Sequence, residues 1–324
     1  MSEMSVLPPI RNSNRGYLIM ERYERLLVCL ELAVEPVDQA IIEYTAKITR
    51  MAKSKTVYFI HVVPTFDLPA DLIETYPNLM PVDEMEIALL QDRVNAFFGT
   101  AYPETDIQFD VLEGETVTEI LRYAKNKLID LVVLGKKKAD HHVIVTEKVT
   151  RKSPCSVLII PEGCGTALQQ ILVPVDFSRY SEIALNVAIE FAAAVHPPAQ
   201  IQVAHTYDVP AGYYKTGKTY DEFAAIMAEH AREKYQQLIQ RVDVQGIAVQ
   251  PVFKLDSNVV NSIEALLTQE KSDLLVLGAR GQTDPASLIL GSKTTKLIRQ
   301  IEIPMLVVRE KGDRVHLLEA LLQI

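Results

Sequence analysis

The stretch Ser272-Asp273-Leu274-Leu275-Val276-Leu277-Gly278 has a near copy 143 residues earlier, Ile129-Asp130-Leu131-Val132-Val133-Leu134-Gly135. After its first residue, each is an aspartate, four aliphatic residues and a glycine. Aliphatic runs without period-two alternation are how parallel strands buried on both faces read. Three more pairs lie in the same order. Leu26-Leu27-Val28-Cys29-Leu30-Glu31 resembles Ile171-Leu172-Val173-Pro174-Val175-Asp176, 145 residues on. Phe59-Ile60-His61-Val62 resembles Val203-Ala204-His205-Thr206, 144 on. Ser156-Val157-Leu158-Ile159-Ile160 resembles Pro304-Met305-Leu306-Val307-Val308, 148 on. Four blocks at nearly constant offset make the chain one unit written twice. The offset grows by five residues after Gly135 and Gly278, so the copies differ there in length.

Amphipathic stretches separate the blocks. Val37, Ile41, Tyr44, Ile48 and Met51 step by three and four, as do Leu185, Ala188, Ala192 and Val195, which is the period of a helix face. The βαβαβαβαβ alternation predicts, in each copy, an α/β fold with a doubly wound five-stranded parallel sheet. The first unit is expected over residues 24–160 and the second over 169–309. Pro161-Glu162-Gly163-Cys164-Gly165-Thr166 marks a linker over 161–168 by its Pro and Gly content. Residues 1–23 form an N-terminal extension. Residues 310–324 form an amphipathic tail, with Val315, Leu318 and Leu322 on one helical face, a pattern that docks on a core or a partner.

Composition narrows the function classes. With 324 residues, 48% hydrophobic and 23% charged, the chain suits two globular domains and is not disordered. A net charge of −9 argues against a general nucleic-acid binder. Cys29, Cys155 and Cys164 form neither a CxxC nor an even set, so no disulfide framework or zinc site is expected. No apolar signal segment or membrane-length run is present, which together with the cysteines points to the cytoplasm.

The most informative local pattern is Gly278-Ala279-Arg280-Gly281, nine residues, then Gly291-Ser292-Lys293-Thr294. A helix is expected from Ser292 to about Gln300. Glycine at a strand end lets backbone approach a ligand, and helix N-terminal amides favour an anion. Lys293 in that first turn opposes the helix dipole by about 0.3–1 kcal/mol; a bound phosphate reverses the sign. The P-loop pattern is excluded, because Ser292 separates Gly291 from Lys293 and Ala286 stands where the first glycine belongs. G-x-G-x-x-G fails too, since Gly278 and Gly281 are three apart. The spacing alone leaves open that these glycines only shape a turn and that Ser292 is a plain N-cap. Asp176 closes an apolar strand, where open α/β sheets bind ligands, but it could equally share helix capping with Ser178. His61 and His205 read as packed strand-end histidines.

The G-x2-G-x9-G-S spacing, the strands flanking it and Val173-Pro174-Val175-Asp176-Phe177-Ser178 resemble the universal stress protein family. The resemblance covers both units and is most specific in the second. It implies tandem adenine nucleotide alpha hydrolase-like domains, the fifth strands pairing within the chain as a pseudo-dimer. It also implies an adenine nucleotide (ATP, ADP or AMP, with Mg²⁺ a companion ion) in the second unit. There Asp176 would contact the adenosine moiety and Thr206 would offer backbone to adenine. Gly278, Gly281, Gly291 and Ser292 would line the phosphates, with Lys293 and Thr294 in the same turn.

The first unit departs from the pattern. Gly135 is followed by Lys136-Lys137-Lys138-Ala139-Asp140-His141-His142-Val143, which lacks the later glycines, and Glu31 replaces the aspartate. Bulky side chains are expected in the phosphate space there, so this unit should not bind ATP in the family manner. His141-His142 lacks partner spacing for a metal. Three function classes follow: a nucleotide-binding stress-response regulator, a slow ATP hydrolase or nucleotide-transfer enzyme, and a ligand-free scaffold. Asp284 is the one nearby acid for an enzyme, no catalytic residue is assigned, and the regulator is favoured. The Leu-rich tail could extend an interface to a second copy.

Overall fold

In the computed structural model, the structure describes residues 22–32, 35–65, 82–98, 102, 104–137, 140–281 and 290–310. Residues 1–21 of the N-terminal extension, the tail from residue 311 on, Asp284 and the side chains of His141 and His142 lie outside them.

Among the described residues, each unit contributes five strands. Unit one holds β1 (Arg25–Leu30), β2 (Thr56–Val63), β3 (Asp106–Glu113), β4 (Leu131–Lys136) and β5 (Ser156–Pro161). Unit two holds β6 (Gln170–Pro174), β7 (Gln200–Tyr207), β8 (Val249–Leu255), β9 (Leu274–Gly278) and β10 (Met305–Val308). The helices of unit one are α1 (Glu35–Ala52), α2 (Val82–Phe98), α3 (Thr116–Asn126) and α4 (Asp140–Lys152). Those of unit two are α5 (Arg179–Ala194), α6 (Tyr220–Arg241), α7 (Val259–Gln269) and α8 (Ser292–Gln300). The quoted apolar blocks are the central strands, and the predicted helix after Gly291 is α8.

All ten strands form one sheet in the order β3-β2-β1-β4-β5-β10-β9-β6-β7-β8. Pairing within each unit is parallel. At the seam β10 runs antiparallel to β5, with Met305 opposite Ile159 and Val307 opposite Val157. The fifth strands therefore pair within one chain, and each covers the other's edge.

Successive strand residues feed opposite faces. Leu26, Val28, Ile171 and Val173 pack under α1, α2, α5 and α6, with Tyr44, Leu90, Leu185 and Leu238. Leu27, Val132, Leu172 and Leu275 face α3, α4, α7 and α8, meeting Ile120, Val149, Ile263 and Ile298. Both cores run through both units. Each fully buried aliphatic side chain contributes about 1.5–3 kcal/mol. Tyr23 joins them: it is buried and meets Phe191 of unit two edge-on, with ring centroids 6.1 Å apart. Among the described residues no helix is long and apolar enough to cross a membrane.

Candidate functional site

The site of unit two forms where strand order reverses. β6 lies between β7 and β9; the chain runs on from β6 to β7 and from β9 to β10, in opposite directions, opening a crevice beyond the strands' carboxyl ends. After β6 the Val175 amide donates to the Ala204 carbonyl, 2.8 Å away, so the chain stays extended as far as Asp176. It then turns sharply. Phe177 has φ 64°, an uncommon conformation for a bulky residue, and its ring lies on His205 with centroids 4.4 Å apart. Leu32, at the matching position of unit one, has φ 59°. The strain occurs in both copies, so it belongs to the strand-to-helix turn and not to one ligand.

Asp176 serves this turn: its Oδ1 accepts from the Ser178 amide at 3.0 Å. Ser178 in turn caps α5, its hydroxyl accepting from the Ser181 amide at 3.3 Å. Ser178 is thus the N-cap, and Asp176 closes the turn that leads into it. The other Asp176 oxygen faces Gly281, where a Cβ would stand 2.7 Å from Oδ2. A side chain at 281 would make the Asp176 carboxylate swing aside.

A cleft of about 210 Å³ opens at this point. All eight residues singled out in the sequence line it: Asp176, Thr206, Gly278, Gly281, Gly291, Ser292, Lys293 and Thr294. Its wall near β6 and β7 is apolar, with Val175, Ala204, Val259 and Ile263. The opposite end is the start of α8. Gly291 is the N-cap there and no side chain caps the helix. Ser292 is the first helical residue, so it is not the N-cap that its spacing allowed. Helices starting without a side-chain acceptor leave first-turn amides for another partner, and an anion is the natural one. Lys293 is exposed beside them.

The three glycines differ in kind. A Cβ on Gly278 would stand 2.8 Å from the Tyr180 carbonyl oxygen, so this glycine lets β9 pack against α5. Gly281 accommodates Asp176. A Cβ on Gly291 would enter open space, its nearest neighbour Thr294 Oγ1 at 3.8 Å, and the backbone there has an ordinary φ of −58°.

Thr206 turns its hydroxyl away, donating to buried Ser262 at 3.0 Å, and so presents backbone to the cleft. His205 Nδ1 lies 2.8 Å from the Val175 carbonyl, which fixes the donor on that nitrogen. Burial lowers its pKa, against the opposing pull of that hydrogen bond and of Asp176. His61 makes the same contact to the Leu30 carbonyl at 2.8 Å. Both histidines latch β2-type strands to β1-type strands. Among the described residues no cluster of three or more His, Cys, Asp or Glu side chains is placed to hold a metal.

Arg280 and Ser181 line the cleft as well, and sequence reasoning gave neither a role. Arg280 donates from Nη1 to the Tyr180 hydroxyl at 2.8 Å, its guanidinium 5.3 Å from that ring's centroid. Its place between two loop glycines was the available signal. Ser181 sits one turn beyond Asp176, and nothing in its spacing marks it.

Unit one has its own cleft, about 330 Å³, lined by Cys29, Glu31, His61, Gly135, Val145 and Thr146 among others. The side chains expected in the phosphate space, from Lys138 to His142, lie outside the described residues. What changes is the cleft's chemistry. Glu31 is ion-paired with buried Lys137. Thr146, the counterpart of Thr294, donates to the Gly135 carbonyl at 3.0 Å. Helix α4 starts at Asp140, so the residues matching Gly291, Ser292 and Lys293, namely Val143, Ile144 and Val145, already lie inside it. Where unit two presents a helix end, unit one presents the apolar flank of a helix.

Fold and site define a tandem, doubly wound α/β protein with a crevice at the switch point of each half. The profile of the universal stress protein family matches residues 22–161 and again 167–309, and the chain belongs to that family. Among curated relatives, universal stress protein MJ0531 of Methanocaldococcus jannaschii is 25% identical over 146 residues, covering 44% of this chain and 82% of that protein. Among solved structures, a universal stress protein of Archaeoglobus fulgidus aligns with a TM-score of 0.60 at 16% identity, covering 89% of this chain and 97% of its own. Protein PA1789 of Pseudomonas aeruginosa, described as functionally unknown, aligns at 0.61 and 12% identity over 94% and 99% of the two chains. At such identities the structures speak for the fold alone.

Proposed function

We propose that the chain binds ATP or another adenine nucleotide in the cleft of unit two and acts as a stress-response regulator. Unit one is its structural or partner-facing half. One observation carries this reading: the eight residues singled out in the sequence, by loop spacing and by the family resemblance, line a single cleft that runs from an apolar wall to an uncapped helix start. The base would lie against Val175, Ala204 and Ile263, with the Thr206 backbone at its edge. Asp176 would accept from the ribose. The phosphates would meet the first amides of α8, with Lys293 and Arg280 supplying positive charge. Placing anions at helix N-termini and cations beside them is favourable for both partners. Phosphate held at Gly281 and Gly291 would also give a partner a state to read.

Calorimetry with ADP and ATP, with and without Mg²⁺, tests this. Asp176→Ala and Gly291→Val should each abolish binding. Unchanged affinity in both variants would remove the site assignment. Steady turnover of ATP would move the protein into the hydrolase class.

A further inference from the structure

Helix α8 joins the cleft of unit two to the seam between the units. Its first residues line the cleft, and its last carbonyls meet a side chain from the other half. Lys136 ends β4 of unit one and is buried. Its ammonium donates to the Arg299 carbonyl at 3.0 Å, the Ile301 carbonyl at 2.7 Å and Glu302 Oε1 at 3.0 Å. These are the carbonyls that a helix leaves without internal partners, and a cation there meets the negative end of the dipole. A second tie comes from Glu147 of α4, which accepts from Arg299 Nε and Nη2 at 2.9 and 2.6 Å.

The helix needs such support. It has nine residues, and only Thr294, Leu297 and Ile298 are buried. Helices this short are marginal without tertiary contacts. The repeat did not supply Lys136, since the matching residue of unit two is Ala279. Unit two answers with a different residue: Arg309 donates to the Thr150 and Arg151 carbonyls at the end of α4, at 3.2 and 2.8 Å. Each half therefore holds the last helix of the other.

We propose that Lys136 of unit one is a positioning residue for the phosphate end of the unit-two cleft. It fixes the far end of α8 and so keeps the amides after Gly291 aimed at the ligand. This rests on the reading of that cleft as an adenine-nucleotide site. Its consequence is selective, because α8 meets the phosphates whereas Asp176 and Thr206 meet the nucleoside.

The experiment measures ADP affinity by calorimetry and adenosine affinity by NMR titration on the full chain. Lys136→Met should lower ADP affinity about tenfold, within the usual range of coupling between sites, and leave adenosine affinity unchanged. Glu147→Gln removes the charge of the more exposed tie and should lower ADP affinity by a smaller factor, again sparing adenosine. It keeps the test informative where Lys136→Met does not fold. If wild type binds ADP and both variants bind it equally well, the inference is overturned while the site stands. Equal losses for ADP and adenosine overturn it too, since they mean general loosening of unit two. If wild type binds neither ligand, the site reading itself is what fails.

Discussion

The two clefts occupy the same point of the same fold, and they differ chiefly in where a helix begins. In unit two, α8 starts at the cleft with an uncapped Gly291. In unit one, five fewer residues follow the strand, and α4 has passed through its first turn before reaching the matching position. Its amides there are committed to the helix ladder. The acidic residue is also engaged, Glu31 pairing with Lys137. The sheet supplies a crevice in both halves, and loop length decides whether that crevice offers an anion a helix end.

The largest test of this contrast is Gly291→Val. A Cβ there meets nothing closer than Thr294 Oγ1 at 3.8 Å, so the fold should tolerate it. Small displacements at such sites can cost about 100-fold. ADP affinity should fall by at least that order while the thermal midpoint stays put; a lowered midpoint would make Gly291 a folding residue and blur the contrast.

Next comes a pair of glycines at matching positions. Gly278→Ala drives a Cβ against the Tyr180 backbone, and Gly135→Ala drives one against Val37 Cγ1 at 2.5 Å. Overpacking of this kind costs about 1–3 kcal/mol. Urea unfolding should show both losses. Val37→Ala should recover most of the loss at Gly135, whereas no side-chain change at Tyr180 should recover that at Gly278. Equal rescue in the two halves would show that the glycines do the same job.

A smaller effect concerns pH. The folded-state pKa of His205 is lowered by burial, so the unfolded chain binds its proton more readily. Stability rises with pH wherever the unfolded state holds more protons. The His205 contribution is therefore present above the unfolded value of 6.5 and is lost as pH falls below it. His205→Gln should flatten the decline in thermal midpoint on acidification, and an unchanged slope would assign the decline elsewhere.

The last prediction is for no change. Val143→Gly, Ile144→Ser and Val145→Lys together restore the residue types of unit two in unit one. Calorimetry should still count one nucleotide per chain, because the amides remain inside α4 and the Glu31–Lys137 pair remains. A count of two would show that side chains, and not the start of the helix, separate the clefts.

The central strands were legible because burial on both faces leaves continuous aliphatic runs, as in Leu131 to Leu134 and Leu274 to Leu277. The edge strands β3 and β8 were not, since residues such as Asp106, Gln108 and Gln250 are polar where only one face is covered. Gly291 and Ser292 could be placed from spacing, because helix starts have local chemistry. Arg280 stacking on Tyr180 joins residues 100 positions apart, and no local pattern carries that. Tyr23 precedes the first strand and sits in no periodic run, so its burial against Phe191 was invisible. The extra turn of α4 was also hidden: a missing five residues shows that a loop is shorter, not which helix grows into it.

The seam between β5 and β10 has a consequence for how such a molecule can change over time. Two identical subunits must carry every substitution twice, once on each side of their axis. Joined end to end, the halves are released from that symmetry. A lysine can enter at 136 without its mirror image at 279, and one crevice can abandon a chemistry that the other keeps. The covalent link also makes pairing of the halves independent of dilution. A chain of this design can keep a partner of fixed identity at every concentration, and one half can specialise in steadying the other.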